Sequence, residues 1–306
     1  MPGGVINTAS HPKLLWPGIH AVWGQIYDAH PTEYTDLYDQ LTSNKAYEQD
    51  VEVTGFGLAP VKGQGAPVSY DSEIQGWVST YAHIAYALGY IVTKEELDDN
   101  LYKEVSTRRA KANAFSVSQT IENVAALLYN DAFAGAYYLM PDGQPLISAT
   151  HQNAPGGTFS NALTPGADLS EAALEDMCIQ IMNATNSRGL KISVMPKTLH
   201  IATQEFFNAE RILKSVLQSS TGNNAINVLK ATNAFPGGTK VNHYFNNPGA
   251  WFVRTNVPQG MQMFMRNKPE FDQDNDFDTK NAKAATYMRF SVGATDARGI
   301  YGSNGP

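Results

Sequence analysis

Lys94 to Ala134, a run of 41 residues with no glycine and no proline, most constrains what this chain can fold into. It lies between Gly89 and Gly135. Thr93 with Glu96 three residues on has the form of a helix-opening capping box. Glu95, Glu96, Asp98 and Asp99 crowd the first turns, where the positive end of the helix dipole favours carboxylates. Leu97, Leu101 and Val105 recur every four residues, and Ile121, Val124, Ala125 and Leu128 continue an apolar stripe. Asp99 with Lys103, and Glu104 with Arg108, are i,i+4 pairs in the favourable acid-first order. Gly135 is placed to stop the helix. Uninterrupted, it would be about 60 Å long at ~1.5 Å per residue, several times the average helix. The alternative is two helices broken near Phe115–Ser116, because the first half is charged and the second more apolar. A long, narrowly striped helix suits a spine crossing a thin protein.

The segments around this run look unable to fold alone. Residues 1–50 form an arm dense in Trp16, Trp23, Tyr27, Tyr34 and Tyr38, in which Pro17, Gly18, Gly24 and Pro31 argue against long regular elements. A short helix is expected after Pro31. Residues 51–92 read as a long β-hairpin: Val51 and Val53 alternate with polar residues, a Gly- and Pro-rich loop follows at 55–71, and Trp77 to Val92 alternates as one strand with Val78, Thr80 and Ala82 on one side. Such a hairpin is marginal by itself and needs another surface. After the long run, 144–151 reads as a strand. Asp168 with Glu171 opens a helix carrying Leu174, Met177, Cys178 and Ile181 and closed by Gly189. Ile192–Val194 reads as a strand, 203–217 as a helix and 223–229 as a weaker one. Strands are expected at 241–245, 251–255, 261–265 and 286–292, then a Gly-rich tail.

Sites of chemistry are not apparent. Gly237-Gly238-Thr239-Lys240 lacks Walker spacing, and Gly55-Phe56-Gly57 and Gly63-Gln64-Gly65 lack the third glycine of a dinucleotide fingerprint. The seven histidines never pair at zinc-ligand spacing. Asp272, Asp274 and Asp276 begin like a calcium loop, but Phe277 stands where glycine belongs and Lys283 where a bidentate glutamate belongs. A solvated turn fits better. Apolar residues make up 42% of the 306 and charged residues 17%, so the chain is a folded protein. Its net charge of -7 argues against a dedicated nucleic-acid binder, and the basic cluster Arg108, Arg109 and Lys111 reads as a solvated helix face. Cys178 is the single cysteine, which fits a reducing compartment and a core position. No signal peptide is expected from Met1 to His11, and no apolar run is long enough to cross a membrane.

Five stretches, in this order and spacing, resemble the major capsid proteins of tailed bacteriophages, in particular the Mu-like major head subunits. They are LWPGIHAVWGQIYDAHPTEYTDLYD (15–39), GFGLAPVKGQGAPVSYD (55–71), AERILKS (209–215), NAFPGGTKVNHYFNNPGAWFVRTNVPQGMQMF (233–264) and RFSVGATDARGIYG (289–302). The resemblance implies an α+β fold: an N-terminal arm (1–50), an extended E-loop (51–92) lying over an adjacent subunit, a peripheral domain with a spine helix (93–165), an axial domain (166–255), and a return to the peripheral domain with a C-terminal tail (256–306). It implies a structural protein, not an enzyme, that self-assembles as pentamers and hexamers into an icosahedral head enclosing double-stranded DNA. No cofactor or metal is expected, and no membrane. The expected partners are many copies of the chain itself, a separate scaffolding protein, a portal, decoration proteins, and packaged DNA held non-specifically. The expected place is the virion, after assembly in the bacterial cytoplasm. Trp16, Trp23 and Tyr27 in the arm, Lys62 and Trp77 in the E-loop, and Arg298 are the expected assembly contacts. Lys62 is the one lysine between Val51 and Val92, hence the sole candidate there for a Lys–Asn cross-link, with no Asn partner or activating acid to name. The alternatives are an encapsulin-like shell holding a cargo enzyme, and an enzyme with a cleft the sequence does not show.

Overall fold

The computed structural model describes residues 16–98, 102–217 and 225–305. In chain order its elements are α1 (Trp16–Ala29), α2 (Tyr34–Leu37), β1 (Asp39–Thr42), β2 (Tyr47–Thr54), β3 (Ile74–Ala82), β4 (Ile84–Val92), α3 (Lys94–Asp98), α4 (Tyr102–Asn130), β5 (His151–Gln152), β6 (Thr158–Phe159), α5 (Glu171–Met182), β7 (Pro196–Ala202), α6 (Phe206–Lys214), α7 (Val228–Ala231), β8 (Thr239–Asn242), β9 (Trp251–Thr255), β10 (Met261–Asn275), β11 (Ala282–Ala294) and β12 (Ile300–Ser303).

The long Gly- and Pro-free run is helical through Phe115 and Ser116, so there is no break there. Thr93 Oγ1 accepts the Glu96 N–H at 3.3 Å, as the capping box requires. The Glu96 carboxylate does not return to Thr93. It grips Arg109 with two bonds of 2.9 and 3.0 Å. The junction at 99–101 and the side chains of 97–105, with the ion pairs and leucine stripe expected there, lie outside the described residues. Farther on, Ala110, Ala114, Val117, Ile121, Ala125 and Leu128 are all buried, at helical spacing. The helix ends at Asn130, before the expected glycine. Asp131 then caps the backbone N–H groups of Ala136, Tyr137 and Tyr138, while Gly135 takes a left-handed φ of 67°.

Two four-stranded sheets flank this helix. The first has the order β1-β10-β11-β4, with β1 parallel to β10 and the other pairings antiparallel. One face of it shares a core with α4, including Met263, Met288, Phe290, Val117 and Ile121. The second has the order β12-β9-β7-β8 and packs on α5 through Leu174, Met177, Leu199, Ile201, Trp251 and Val253. The acidic run 271–278 finishes β10 and turns into β11, with the Asp276 carboxylate accepting from Lys283 Nζ and the Asp278 N–H.

Several expectations fail for physical reasons. The arm is not irregular: α1 runs 14 residues. Pro17 falls in the first turn, where no N–H is needed, and Gly24 costs only ~1 kcal/mol on a helix whose Ile19 and Trp23 are buried. Trp77 to Val92 is two strands. The chain crosses at buried His83, whose ring nitrogens lie 2.9 Å from Ser291 Oγ and 3.1 Å from Ser43 Oγ, so β3 pairs with β2 while β4 pairs with β11. In β3 the buried residues are Ser79 and Tyr81, not Val78, Thr80 and Ala82, because Tyr81 packs on Phe264 and bonds Thr295. The 144–151 stretch is irregular up to β5. Ser170, not Asp168, caps α5, which ends at Met182 with Asn183 as its C-cap, ahead of Gly189. The strand expected at 192–194 lies at Pro196–Ala202, and the Gly-rich tail includes β12, hydrogen-bonded to β9.

Candidate assembly surface

β2 and β3 form a two-stranded ribbon joined by the loop 55–73. The ribbon and loop expose Val53, Phe56, Leu58, Val61, Val68 and Tyr70; Val61 and Tyr70 are essentially fully exposed, at 101% and 95%. An apolar stretch of this extent, unable to bury itself, marks an interaction surface. The root is fastened to the body. Asp71 accepts the N–H groups of Gly57 and Ser72, both at 2.8 Å, and pairs with Arg188 from the turn after α5 at 3.3 Å. Those backbone bonds first, and then Arg188, hold the Asp71 carboxyl below the usual carboxylate range. On the other side, Thr295 Oγ1 donates to Asp50 at 2.8 Å and lies 2.6 Å from the Tyr81 hydroxyl.

Lys62 stands exposed on the loop. Trp77 sits at the ribbon's foot, 38% exposed, with Nε1 donating to the Gln152 carbonyl at 3.0 Å. It borders a cleft of about 230 Å³ lined also by Val51, His151, Phe159 and Arg298. In that cleft Asp142 and His151 are buried as a pair, 2.8 Å apart. Burial raises the Asp142 carboxyl, but the bonds from His151 and from the Gln152 and Gln144 N–H groups outweigh it and leave the value lowered.

Of the remaining expected contacts, Arg298, Trp23 and Tyr27 point inward. Arg298 is buried: its guanidinium lies 3.7 Å above the Phe159 ring, donates to Thr185 O and Asn153 Oδ1, both at 2.7 Å, and pairs with Asp296 at 3.3 Å. Trp23 stacks between Tyr27 and Phe271, with centroids at 5.2 and 5.4 Å, and its indole N–H reaches Asn113 on α4 at 2.9 Å. Burial first, then the neighbouring Tyr34, pushes the Tyr27 hydroxyl far up. Trp23 and Tyr27 therefore find their surface on the same chain. The Trp16 side chain lies outside the described residues. The role of Arg188 at Asp71, and the exposure of Phe207 on α6 and of Ile226, were not legible in sequence. Cys178 lies on the buried face of α5, its thiol pushed up to about 11 by burial and then by Glu175.

A helix laid across a four-stranded sheet, a second sheet domain, and an apolar ribbon projecting from both can be compared with known proteins. The phage capsid protein family matches residues 77–303. Among curated protein sequences none matches. Among solved structures, the chain is similar to the virus-like particle from Pyrococcus furiosus, with 10% identity and a TM-score of 0.52 over 94% of this chain and 98% of that one. It is similar to a chain of Mycobacterium phage Patience, with 10% identity and a TM-score of 0.53 over 97% and 88%. It is also similar to a chain of the bacteriophage JBD30 procapsid, with 15% identity and a TM-score of 0.51 over 97% and 76%. At such identities these likenesses establish the fold, and the sequence match over most of the length establishes that the chain belongs to the phage capsid protein family.

Proposed function

We propose that many copies of this chain, as the major capsid protein of a tailed bacteriophage within the Mu-like group, close as pentamers and hexamers into the icosahedral head that encloses a double-stranded DNA genome. The work is structural, not catalytic. One observation carries the reading: an apolar loop, fully exposed at Val61 and Tyr70, is fastened at its root by Asp71–Arg188 and Asp50–Thr295 so that it is presented to a neighbour. A net charge of -7 suits non-specific contact with packaged DNA rather than tight binding. A separate scaffolding protein, a portal and decoration proteins complete the assembly, which takes place in the bacterial cytoplasm. Lys62 and Trp77 act as contacts between subunits; Trp23, Tyr27 and Arg298 contribute by holding the arm and the ribbon's foot in place.

The test is to express the chain and follow closed shells by sedimentation and negative-stain microscopy. Replacing Leu58, Val61 and Tyr70 with serine should leave the subunit folded and unassembled. Shells at the normal yield from that variant would overturn the reading. Shells from infected cells that hold a cargo enzyme and no nuclease-protected DNA would favour the encapsulin-like alternative.

A further inference from the structure

The first sheet ends on β4, which among the described residues has β11 on one side and no strand on the other. An open strand edge is a template for pairing with another chain, and folded proteins blunt such edges with charge, proline, bulges or brevity. The other edges of the two four-stranded sheets are blunted in these ways. β1 is four residues long. Past its reach, β10 carries Lys268, Pro269, Glu270, Asp272 and Asp274 and shifts register twice. β8 is four residues long and carries Lys240, and β12 is four residues long and buried throughout.

β4 has none of these devices. Its nine residues, IAYALGYIV, include no charge and no proline, and they pair with β11 from Ile84 to Val92 without a shift of register. Ile84, Leu88 and Ile91 stand 49%, 46% and 54% exposed. Among the described residues, side chains reach the β4 carbonyls at two places, both from α4: Asn113 at Leu88 and Arg109 at Ile91. On a chain of net charge -7 whole copies repel one another, and a neutral lane of this length lets two backbones approach.

We propose that the β4 edge is a second subunit contact, in which the β4 strands of two copies pair antiparallel across a two-fold axis and join two first sheets into one. The contact rests on the capsid reading and adds to it the surface that joins rings. A ribbon lying on a different patch of the next copy is a head-to-tail contact, which closes rings. Linking rings into a shell takes a further contact, and a two-fold one must be self-complementary. The β4 edge meets that condition, since antiparallel backbones pair with themselves and no charge faces its like. Residues paired across antiparallel strands lie on the same face, so the axis falls at one residue, which faces its own copy. With the strands fully overlapped that residue is Leu88, and Ala85 of one copy lies opposite Ile91 of the other.

The experiment is disulfide trapping at these three exposed positions, with oxidation by copper–phenanthroline, non-reducing gels and negative-stain counts of closed shells. Facing residues in an antiparallel pair have Cα atoms about 4.5–5.5 Å apart, within the reach of a disulfide. Wild-type protein, whose single cysteine Cys178 is buried, sets the baseline. Leu88→Cys should give at least tenfold more covalent dimer than the wild type. Ala85→Cys alone and Ile91→Cys alone should stay at baseline, because each is displaced from its own copy by six residues, about 20 Å. Co-expressed, Ala85→Cys and Ile91→Cys should give the dimer, and this pair carries the test if Leu88→Cys fails to fold. Baseline yield from both Leu88→Cys and the mixed pair, or dimers from Ala85→Cys or Ile91→Cys alone, would overturn the proposal. Shells without these dimers would overturn the contact and leave the capsid reading standing. Dimers without shells would uphold the contact and overturn the capsid reading.

Discussion

Asn113 occupies the polar middle of α4, and its one amide ties three elements to the helix. Oδ1 accepts the Trp23 indole N–H and the Thr286 hydroxyl, and Nδ2 donates to the Leu88 carbonyl at 2.9 Å. Asn113→Ala leaves those buried groups unmatched, at ~1–3 kcal/mol for each that finds no new partner. A loss of about 2–4 kcal/mol in urea unfolding of the subunit is expected; a change within error would mean that the three contacts are incidental. His200 is the acid-sensitive residue of the second sheet. Burial, then Arg254 and Lys240, lower its pKa to about 3. Because the folded value lies below the free one, its contribution is intact above about pH 6.5 and is lost as pH falls from there towards 3, by at most ~1.4 kcal/mol per pH unit. Melting temperatures at pH 7, 5 and 4 should therefore fall less steeply in His200→Gln than in the wild type, and parallel curves would remove His200 from the account.

At the scale of the element, α4 holds the subunit together by being narrow. Ala110 and Ala114 let α1 and the first sheet approach closely, while Arg108, Lys111 and Ala112 remain exposed. Ala112 therefore tests the backbone alone. Ala112→Pro removes one helical hydrogen bond and clashes with the carbonyl four residues earlier, at ~3 kcal/mol or more. It should lower helix content by circular dichroism and block closed-shell formation in sedimentation. Ala112→Leu, which keeps helix propensity on the exposed face, should have a smaller effect on both. Equal shell yields from the two variants would show that continuity of the helix at this point does not matter for assembly.

Across the whole molecule, segment 33–39 joins the arm to the second sheet by a polar seam: Glu33 against the His243 ring and backbone N–H, and two ion pairs, Asp36 with Lys240 at 2.9 Å and Asp39 with Arg254 at 3.1 Å. The exposed pairs are worth little one by one, but they keep the arm beside the second sheet while Trp23 holds it to the spine. The arm from Trp16 to Ala29 is thus docked within its own subunit, whereas the loop 55–73 is fastened only at its root. In unassembled protein a protease should cut first within 55–73, and only later within α1. Assembly should protect the loop. Equal cleavage of the loop before and after assembly would take it out of the interface.

The helices at Lys94–Asp98 and Tyr102–Asn130 were legible because helix formation is local: a run without Gly or Pro, opened by Thr93 and striped at helical spacing, favours helix throughout. Short apolar runs set between turn residues, such as Trp251–Thr255, were legible for the same reason. The division of labour between arm and loop was not. Trp23 and Tyr70 are both aromatics in segments rich in Gly and Pro. Only the placement of Phe271 and Asn113 next to one, and of nothing next to the other, makes the first a core residue and the second an exposed side chain. Likewise the alternation from Trp77 to Val92 cannot say that the chain changes sheets at His83, since the choice rests on Ser43 and Ser291, distant in sequence. Arg298 shows the same limit, because its inward role depends on Thr185, Asn153 and Phe159 from three separate stretches. What the sequence by itself determined was the local elements and, through five ordered stretches, the family. Which side chains face the subunit's own interior and which are left for another subunit was decided only by tertiary structure, because burial is a property of residues far apart in the chain meeting in space.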